Sequence, residues 1–264
     1  MSGKGRIGII GGAGWLGGSI AGSILRAGIA DPADLTLSYR RSRPDRFAAS
    51  HWTTDNQLLA DRSDVVIMSV RPQDWGSVPV KLERKLLISV MAGIRVSALI
   101  ERHATERVVR ALPNAAAEVC CSYTPWMASP GVVADDRKLV RKIFGACGVE
   151  DEVGSETDID YLTGMSGTGP AFPAFLAAAM MKHAIAQGLP ADIAERAVVT
   201  MLTGTGRLLE RQQDNPTDIV NRFVDYRGVT AAGIEEMRAS GFDEAISNGL
   251  AAAFKKSVSM GDAS

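Results

Sequence analysis

Ile7-Gly8-Ile9-Ile10-Gly11-Gly12-Ala13-Gly14-Trp15-Leu16-Gly17 is the stretch whose reading decides the fold of this chain. A short apolar run rises into glycines, and Leu16, Ile20 and Ile24 follow at helical spacing. Gly12, Gly14 and Gly17 fit G-x-G-x-x-G. In a strand–turn–helix unit the first glycine makes the tight turn and the second lets the backbone approach a pyrophosphate. The third lets helix and strand pack closely. The helix N-terminus, at Trp15 and Leu16, then offers unpaired N–H groups to the phosphates. A purely structural glycine turn would have the same local composition. The strand-like run before and the helical pattern after favour a dinucleotide.

Outward from that stretch, residues 6–11 are expected as strand one and 15–27 as helix one, stopped by a glycine cap at Gly28. Residues 35–39 alternate and read as strand two. An NAD site places Asp or Glu near this point to hold the ribose 2′-hydroxyl. Here Arg40, Arg41, Ser42 and Arg43 stand instead. Guanidinium groups bind phosphate bidentately and keep their charge, which points to a 2′-phosphate and so to NADPH. A solvated basic loop is the competing reading.

Residues 53–56 form a polar turn-like cluster, followed by a short helix at 57–60. The apolar runs 64–70, 86–90 and 108–112 are expected as strands buried on both faces of a parallel sheet. They end at Arg71-Pro72-Gln73, at Met91-Ala92-Gly93 and at Pro113-Asn114. In open α/β sheets ligands sit at that edge. Ala92 and Gly93 suit close approach of a flat ring, and would equally suit ordinary turns. A helix at 135–147 and an edge strand at 149–153 complete this half.

From about residue 156 the strand signal stops. Helices are expected at 171–187, 191–211, 216–223, 230–239 and 242–260, punctuated by Gly188, Pro190, Pro216, Gly228 and Gly241. The fold class is thus α/β over residues 1–155, with a mostly parallel sheet, and all-α over residues 156–264. The stretch 171–181 is apolar nearly all round, as in a buried helix. Such a region completes its core with a second subunit, or folds as a compact monomeric domain. Two polar stretches precede helices: Ser166-Gly167-Thr168-Gly169-Pro170 and Asp225-Tyr226-Arg227-Gly228-Val229-Thr230. Helix N-termini there would suit a carboxylate. Thr168 and Thr230 would equally serve as N-caps.

The whole chain sets outer bounds. At 264 residues and a formal net charge of −1, no global field favours nucleic acid or an anionic membrane. No apolar run approaches the ~18 residues of a membrane span. The N-terminus lacks the form of a signal peptide. The three cysteines give neither a disulfide framework nor a zinc spacing, and the three histidines are too scattered for a metal site. A cytoplasmic protein with reduced thiols is expected.

Taken in order, these pieces resemble the pyrroline-5-carboxylate reductase family, the NADPH-dependent last step of proline synthesis. The likeness runs through the glycine loop, Asp55-Asn56, Val70-Arg71-Pro72-Gln73, Ser89-Val90-Met91-Ala92-Gly93, Arg110-Ala111-Leu112-Pro113-Asn114, residues 166–172, and Gly228-Val229-Thr230 with Glu235 and Gly241-Phe242. The resemblance implies a Rossmann-type N-terminal domain and a helical dimerisation domain, with the active site at the dimer interface between them. It implies a homodimer, with assembly into a higher oligomer of dimers left open. The cofactor contacts it implies are Gly12, Gly14, Trp15, Leu16, Gly17, Arg40, Arg41, Asn56, Val70, Arg71, Pro72, Ala92, Gly93 and Asn114. For the imine carboxylate substrate it implies Ser166, Gly167, Thr168, Gly169, Arg227, Gly228 and Val229, with Thr230 at the imine nitrogen.

The chain departs from the family pattern in three places. Asp225 replaces the serine of the family's Ser-Pro-Gly-Gly loop, with Arg227 as a candidate to offset its charge. Ala115-Ala116 replaces Thr-Pro after Asn114, and Trp15 stands where the glycine loop commonly carries Asn. Three other readings remain at this point: a β-hydroxyacid dehydrogenase, a reductase of a different imine, and a non-catalytic NADPH-binding protein. The first needs a lysine soon after a glycine-rich turn, and after Gly169 the next is Lys182.

Overall fold

The structure is a computed structural model that describes residues 5–212 and 215–262. Eight strands form one sheet: β1 (Ile7–Ile10), β2 (Leu35–Ser38), β3 (His51–Thr53), β4 (Val65–Met68), β5 (Leu86–Ser89), β6 (Val108–Ala111), β7 (Ser122–Ala128) and β8 (Gly148–Glu152). Their order is β3-β2-β1-β4-β5-β6-β7-β8. Pairing is parallel from β3 to β6; β7 runs antiparallel to β6 and parallel to β8. Strand order reverses between β2 and β4, on either side of β1. That switch point opens a crevice at the C-terminal ends of the strands.

Six helices accompany the sheet: α1 (Trp15–Arg26), α2 (Asn56–Asp61), α3 (Pro72–Trp75), α4 (Val96–His103), α5 (Ala134–Gly145) and α6 (Glu156–Leu162). Every residue of β1, β2, β4, β5 and β6 is buried. Successive side chains point to opposite faces, so one apolar run feeds two cores. Ile7, Ile9, Leu35, Leu37 and Ile88 pack with Ile20 and Ile24 of α1 and Phe144 of α5. Ile10, Val66, Met68 and Leu87 pack with Leu59 of α2 and Leu99 of α4.

Helices follow without strands after that: α7 (Ala171–Ala186), α8 (Ala191–Gln212), α9 (Pro216–Asp225), α10 (Val229–Ala239) and α11 (Phe242–Asp262). The chain divides into two compact units, residues 1–169 with 251–264, and residues 170–250. The first of these boundaries lies beyond the expected one at 155, because α6 ties into the sheet unit through ion pairs. The last turns of α11 belong to that unit too. No helix among the described residues is long and apolar enough to cross a membrane. All three cysteines are free.

Several expectations need correcting. β3 and β7 carry no strand signal in the sequence: β3 has three residues, and β7 contains Pro125, which removes a ladder donor. The apolar α7 was expected in a core completed by a second subunit or by a compact monomeric domain; within one chain none of its residues is buried and Phe175 is 77% exposed, which removes the monomeric alternative only. Its apolar surface is simply not covered by its own chain.

Candidate active site

The glycine loop leaves β1 at the sheet's switch point. The tight turn falls on Gly11, not Gly12. Gly11 has φ +83°, and a Cβ there would collide with the Ser69 carbonyl. A Cβ on Gly12 would lie 2.9 Å from Leu37, and one on Gly17 only 2.6 Å from the Gly11 carbonyl. These positions hold helix, turn and strand in close contact. Gly14 is the N-cap of α1 and makes no side-chain cap. The N–H groups of Trp15, Leu16 and Gly17 therefore have no acceptor within the helix. An exposed, side-chain-free helix N-terminus beside a glycine turn fits the diphosphate of a dinucleotide.

The loop is fixed from outside as well. The Ser38 hydroxyl accepts from Gly11 N–H at 3.0 Å, and the Ser38 carbonyl from Ala13 N–H at 3.1 Å. Val70, just beyond β4, lies beside Gly11, with Cγ1 3.4 Å from where a Cβ would be.

Basic side chains gather at the same edge. Arg40, two residues beyond β2, places Nη1 3.7 Å from Asp74 Oδ1, while Arg71 Nε donates to Asp74 Oδ2 at 3.0 Å. One carboxylate on α3 thus faces two guanidiniums, and Arg41, the next residue after Arg40, is exposed. The excess positive charge suits an anionic group. Arg71 and Pro72 are also the N-cap and first residue of α3. Asn56 opens α2 behind Asp55, whose carboxylate caps the Gln57 and Leu58 N–H groups.

At the ends of β5 and β6 the structure changes the reasons for two residues. Gly93 has φ +76°, and a Cβ there would lie 2.8 Å from Met260 Cβ of α11. Glycine is required there by the chain's own backbone conformation and packing, which is a reason besides the expected one, room for a flat ring. Asn114 donates through Nδ2 to the Ser166 carbonyl at 3.0 Å and accepts from Ala116 N–H at 2.9 Å. Asn114 and residues 166–169 are thus brought together: a Cβ on Gly169 would lie 3.1 Å from Asn114 Cβ, and one on Gly167 2.7 Å from Leu112.

Residues 163–167 are not a loop but a π-helical turn continuing α6. Ser166 Oγ donates to the Leu162 carbonyl, and Thr168 Oγ1 to those of Gly164 and Met165. Thr168 is not an N-cap, since α7 is capped by Pro170 without a side-chain bond. The turn is seated by a buried ion cluster. Arg110 of β6, fully buried, donates to Asp160 at 2.6 Å and Glu156 at 3.1 Å. Arg95 reaches Asp160 at 3.0 Å.

In the helical unit, α9 runs through Asp225, so the second polar stretch is a three-residue turn between helices. Arg227 holds φ +55°. Gly228 is the N-cap of α10, which places Val229 and Thr230 in its first turn with unpaired N–H groups. Thr230 is therefore not the cap either. Val229 is 92% and Tyr226 85% exposed. Arg227 makes no ion pair with Asp225 among the described residues.

A family model described as pyrroline-5-carboxylate reductase dimerisation matches residues 156–260, and one for coenzyme F420-dependent NADP oxidoreductase matches residues 6–93. A pyrroline-5-carboxylate reductase from a Synechocystis strain is 31% identical over 211 residues, covering 78% of this chain and 79% of the relative. One from Methanosarcina acetivorans is 30% identical over 269 residues, covering 97% and 98%. The chain belongs to the pyrroline-5-carboxylate reductase family. It is accordingly an NAD(P)H-dependent oxidoreductase. Among solved structures, the pyrroline carboxylate reductase of Plasmodium falciparum with NADP bound superposes with TM-score 0.85 at 26% identity, covering 97% of this chain and 98% of that one.

Two of the departures from the reductase family pattern turn out to be neighbours. Ala115–Val119 forms a 3-10 turn whose first N–H bond to Asn114 comes from Ala116, a donor that proline lacks. Glu118 on that turn accepts from Trp15 Nε1 at 2.8 Å. Trp15 is thus tied, through Glu118, to the same turn that Ala115-Ala116 opens at the β6 end. Sequence reasoning missed Ser38, Glu118 and Arg46. Arg46 Nη2 donates to the carbonyls of Ala13 at 2.9 Å and Gly14 at 2.8 Å. The available signal was Gly18 and Gly22, inside a helix where glycine costs about 1 kcal/mol relative to alanine. Arg46 and Phe47 lie against them.

Proposed function

We propose that the chain reduces the cyclic imine 1-pyrroline-5-carboxylate to L-proline with NADPH, as a cytoplasmic homodimer. What carries the reading is the diphosphate cradle of the glycine loop beside the Arg40, Arg41 and Arg71 corner, in a chain of this reductase family. NADPH supplies the hydride for the C=N carbon. The chain's own work is to bind and orient: Trp15, Leu16 and Gly17 N–H groups hold the diphosphate, and Arg40 and Arg41 the 2′-phosphate. The α10 N-terminus, through Gly228 and Val229, holds the substrate carboxylate, and the Thr230 hydroxyl hydrogen-bonds the imine nitrogen. An iminium is already electrophilic near neutral pH, so positioning outweighs proton transfer.

The domain division at residues 155/156 coincides with the start of the dimerisation-family match; we retain it as the functional boundary. Asp225, at the end of α9 with no pairing to Arg227, favours a second reading, an imine without a carboxylate. NADPH oxidation over a panel of imines separates the readings. Fast turnover of 1-pyrroline-5-carboxylate supports the first, and turnover of uncharged imines alone supports the second. Saturable NADPH binding with no turnover anywhere means a binding protein. Thr230→Ala is expected to lower turnover about 100-fold, the scale of a lost transition-state hydrogen bond, with NADPH affinity unchanged. Full turnover in that variant removes the role assigned to Thr230.

A further inference from the structure

We propose that Arg46 is a cofactor-positioning residue that serves the diphosphate, by holding the carbonyl side of the glycine loop. Its Nη2 lies 2.9 Å from the Ala13 carbonyl, 2.8 Å from that of Gly14 and 3.4 Å from that of Gly12. One guanidinium thus spans three successive peptide units. The Gly14 carbonyl belongs to the same peptide plane as the Trp15 N–H, the first unpaired donor of α1. A cation on the carbonyl end of a peptide fixes its plane and strengthens the N–H at the other end as a donor. Arg46 also makes no ion pair with any carboxylate among the described residues, so its charge is available to the bound anion.

The seat for this side chain is built into α1. A Cβ on Gly18 would collide with the Arg46 guanidinium, so glycine there is what admits it. Gly18 lies outside the G-x-G-x-x-G positions, and the phosphate-binding motif gives no other reason for it. Phe47 follows in a left-handed conformation, φ +57°, with its ring 5.7 Å from the Arg46 guanidinium carbon. That turn directs Arg46 onto the loop, whereas the neighbouring arginines point elsewhere: Arg40 lies against Asp74. Arg43 reaches the Ala48 carbonyl at 3.5 Å.

The inference rests on the proposed dinucleotide binding, and the diphosphate is common to NADPH and NADH whereas the 2′-phosphate is not. The test titrates both dinucleotides calorimetrically into the wild-type protein and into Arg46→Met, Arg46→Lys, Gly18→Ala and the Gly18→Ala/Arg46→Met double variant. Arg46→Met is expected to weaken NADPH and NADH by the same factor, about tenfold, the scale of a charge-assisted hydrogen bond. The rate at saturating cofactor should stay within about twofold, because the contact is uniform binding. Arg46→Lys should recover part of both affinities. Gly18→Ala should reproduce the loss, and the double variant should be no weaker than the worse single one, since both remove one contact. Loss of NADPH affinity alone would overturn the proposal and make Arg46 a 2′-phosphate ligand. Unchanged affinities, or additive losses in the double variant, would overturn it too. A wild-type protein that binds neither dinucleotide overturns the proposed function together with this inference; variants that bind as the wild type does overturn this inference alone.

Discussion

The sheet unit and the helical unit solve the same problem in opposite ways. Five strands of the sheet are buried at every residue, between helices of their own chain. In α7, a helix apolar nearly all round, no residue is buried. Apolar content is similar; what differs is who covers it. Burying a large apolar side chain contributes about 1.5–3 kcal/mol, so leaving Phe175, Val199, Phe223 and Val229 in water forgoes a substantial sum. An apolar pattern therefore says that a surface must be covered, and not by which chain.

The strongest way to break this comparison is a charge on the uncovered face. Phe175→Asp would appear twice in a symmetric dimer. At about 2 kcal/mol or more for each copy, the scale of an interface hot spot, dissociation should rise about 1,000-fold or more. Sedimentation equilibrium checks it, with the sheet unit's tryptophan fluorescence as a control: Trp15, Trp52, Trp75 and Trp126 all lie in that unit. A variant that associates as the wild type does would show that α7 is not where copies meet.

The same contrast explains what the sequence revealed. Strands β1, β4, β5 and β6 were legible because burial on both faces writes a continuous apolar run. β7 was not, because Pro125 and the polar Ser122 and Thr124 interrupt the run, although Trp126 within it is fully buried. The glycine motif marked the loop but placed the turn one residue late, since G-x-G-x-x-G counts glycines and not φ angles. Asn114 and Ser166 were each named, one for cofactor and one for substrate. Their mutual hydrogen bond, 52 residues apart in sequence, leaves no periodic trace. Arg46 was hidden for the same reason: a long-range contact to backbone carbonyls has no pattern of its own.

A second test asks how firmly the sheet unit holds the turn at residues 163–169. Arg110→Ala leaves Asp160 and Glu156 with Arg95 alone, in a site where Asp160 is 1% exposed. Removing one member of a buried ion cluster costs about 3–5 kcal/mol. The sheet unit's tryptophan transition should shift to lower denaturant by that amount. The helical unit contains none of these charges, so its residual far-ultraviolet signal should outlast the tryptophan change. Coincident transitions would mean that the two units unfold as one.

The smallest expected effect is a pH dependence confined to the sheet unit. His103, in the last turn of α4, is buried. Trp75 Nε1 can only donate, so His103 Nε2 accepts that bond at 2.8 Å, and Nδ1–H donates to the Val80 carbonyl at 2.8 Å. The neutral ring satisfies both contacts, and a protonated one would lose the bond from Trp75. Burial pushes the imidazole pKa down, against an opposing pull from the Val80 carbonyl, and the nearby Arg102 and Lys81 charges add to the fall. The unfolded chain therefore takes up a proton more readily than the folded one. The contribution is fully present above the unfolded value of about 6.5 and is lost as pH falls below it, at no more than about 1.4 kcal/mol per pH unit. Denaturant titrations from pH 7 to pH 5, followed by tryptophan emission, should show that loss. His103→Gln keeps one acceptor and one donor but cannot titrate, so its slope should be flatter by the same amount. Equal slopes in the two proteins would mean that His103 is protonated no less easily in the fold than out of it, and that the Trp75 bond does not decide its state.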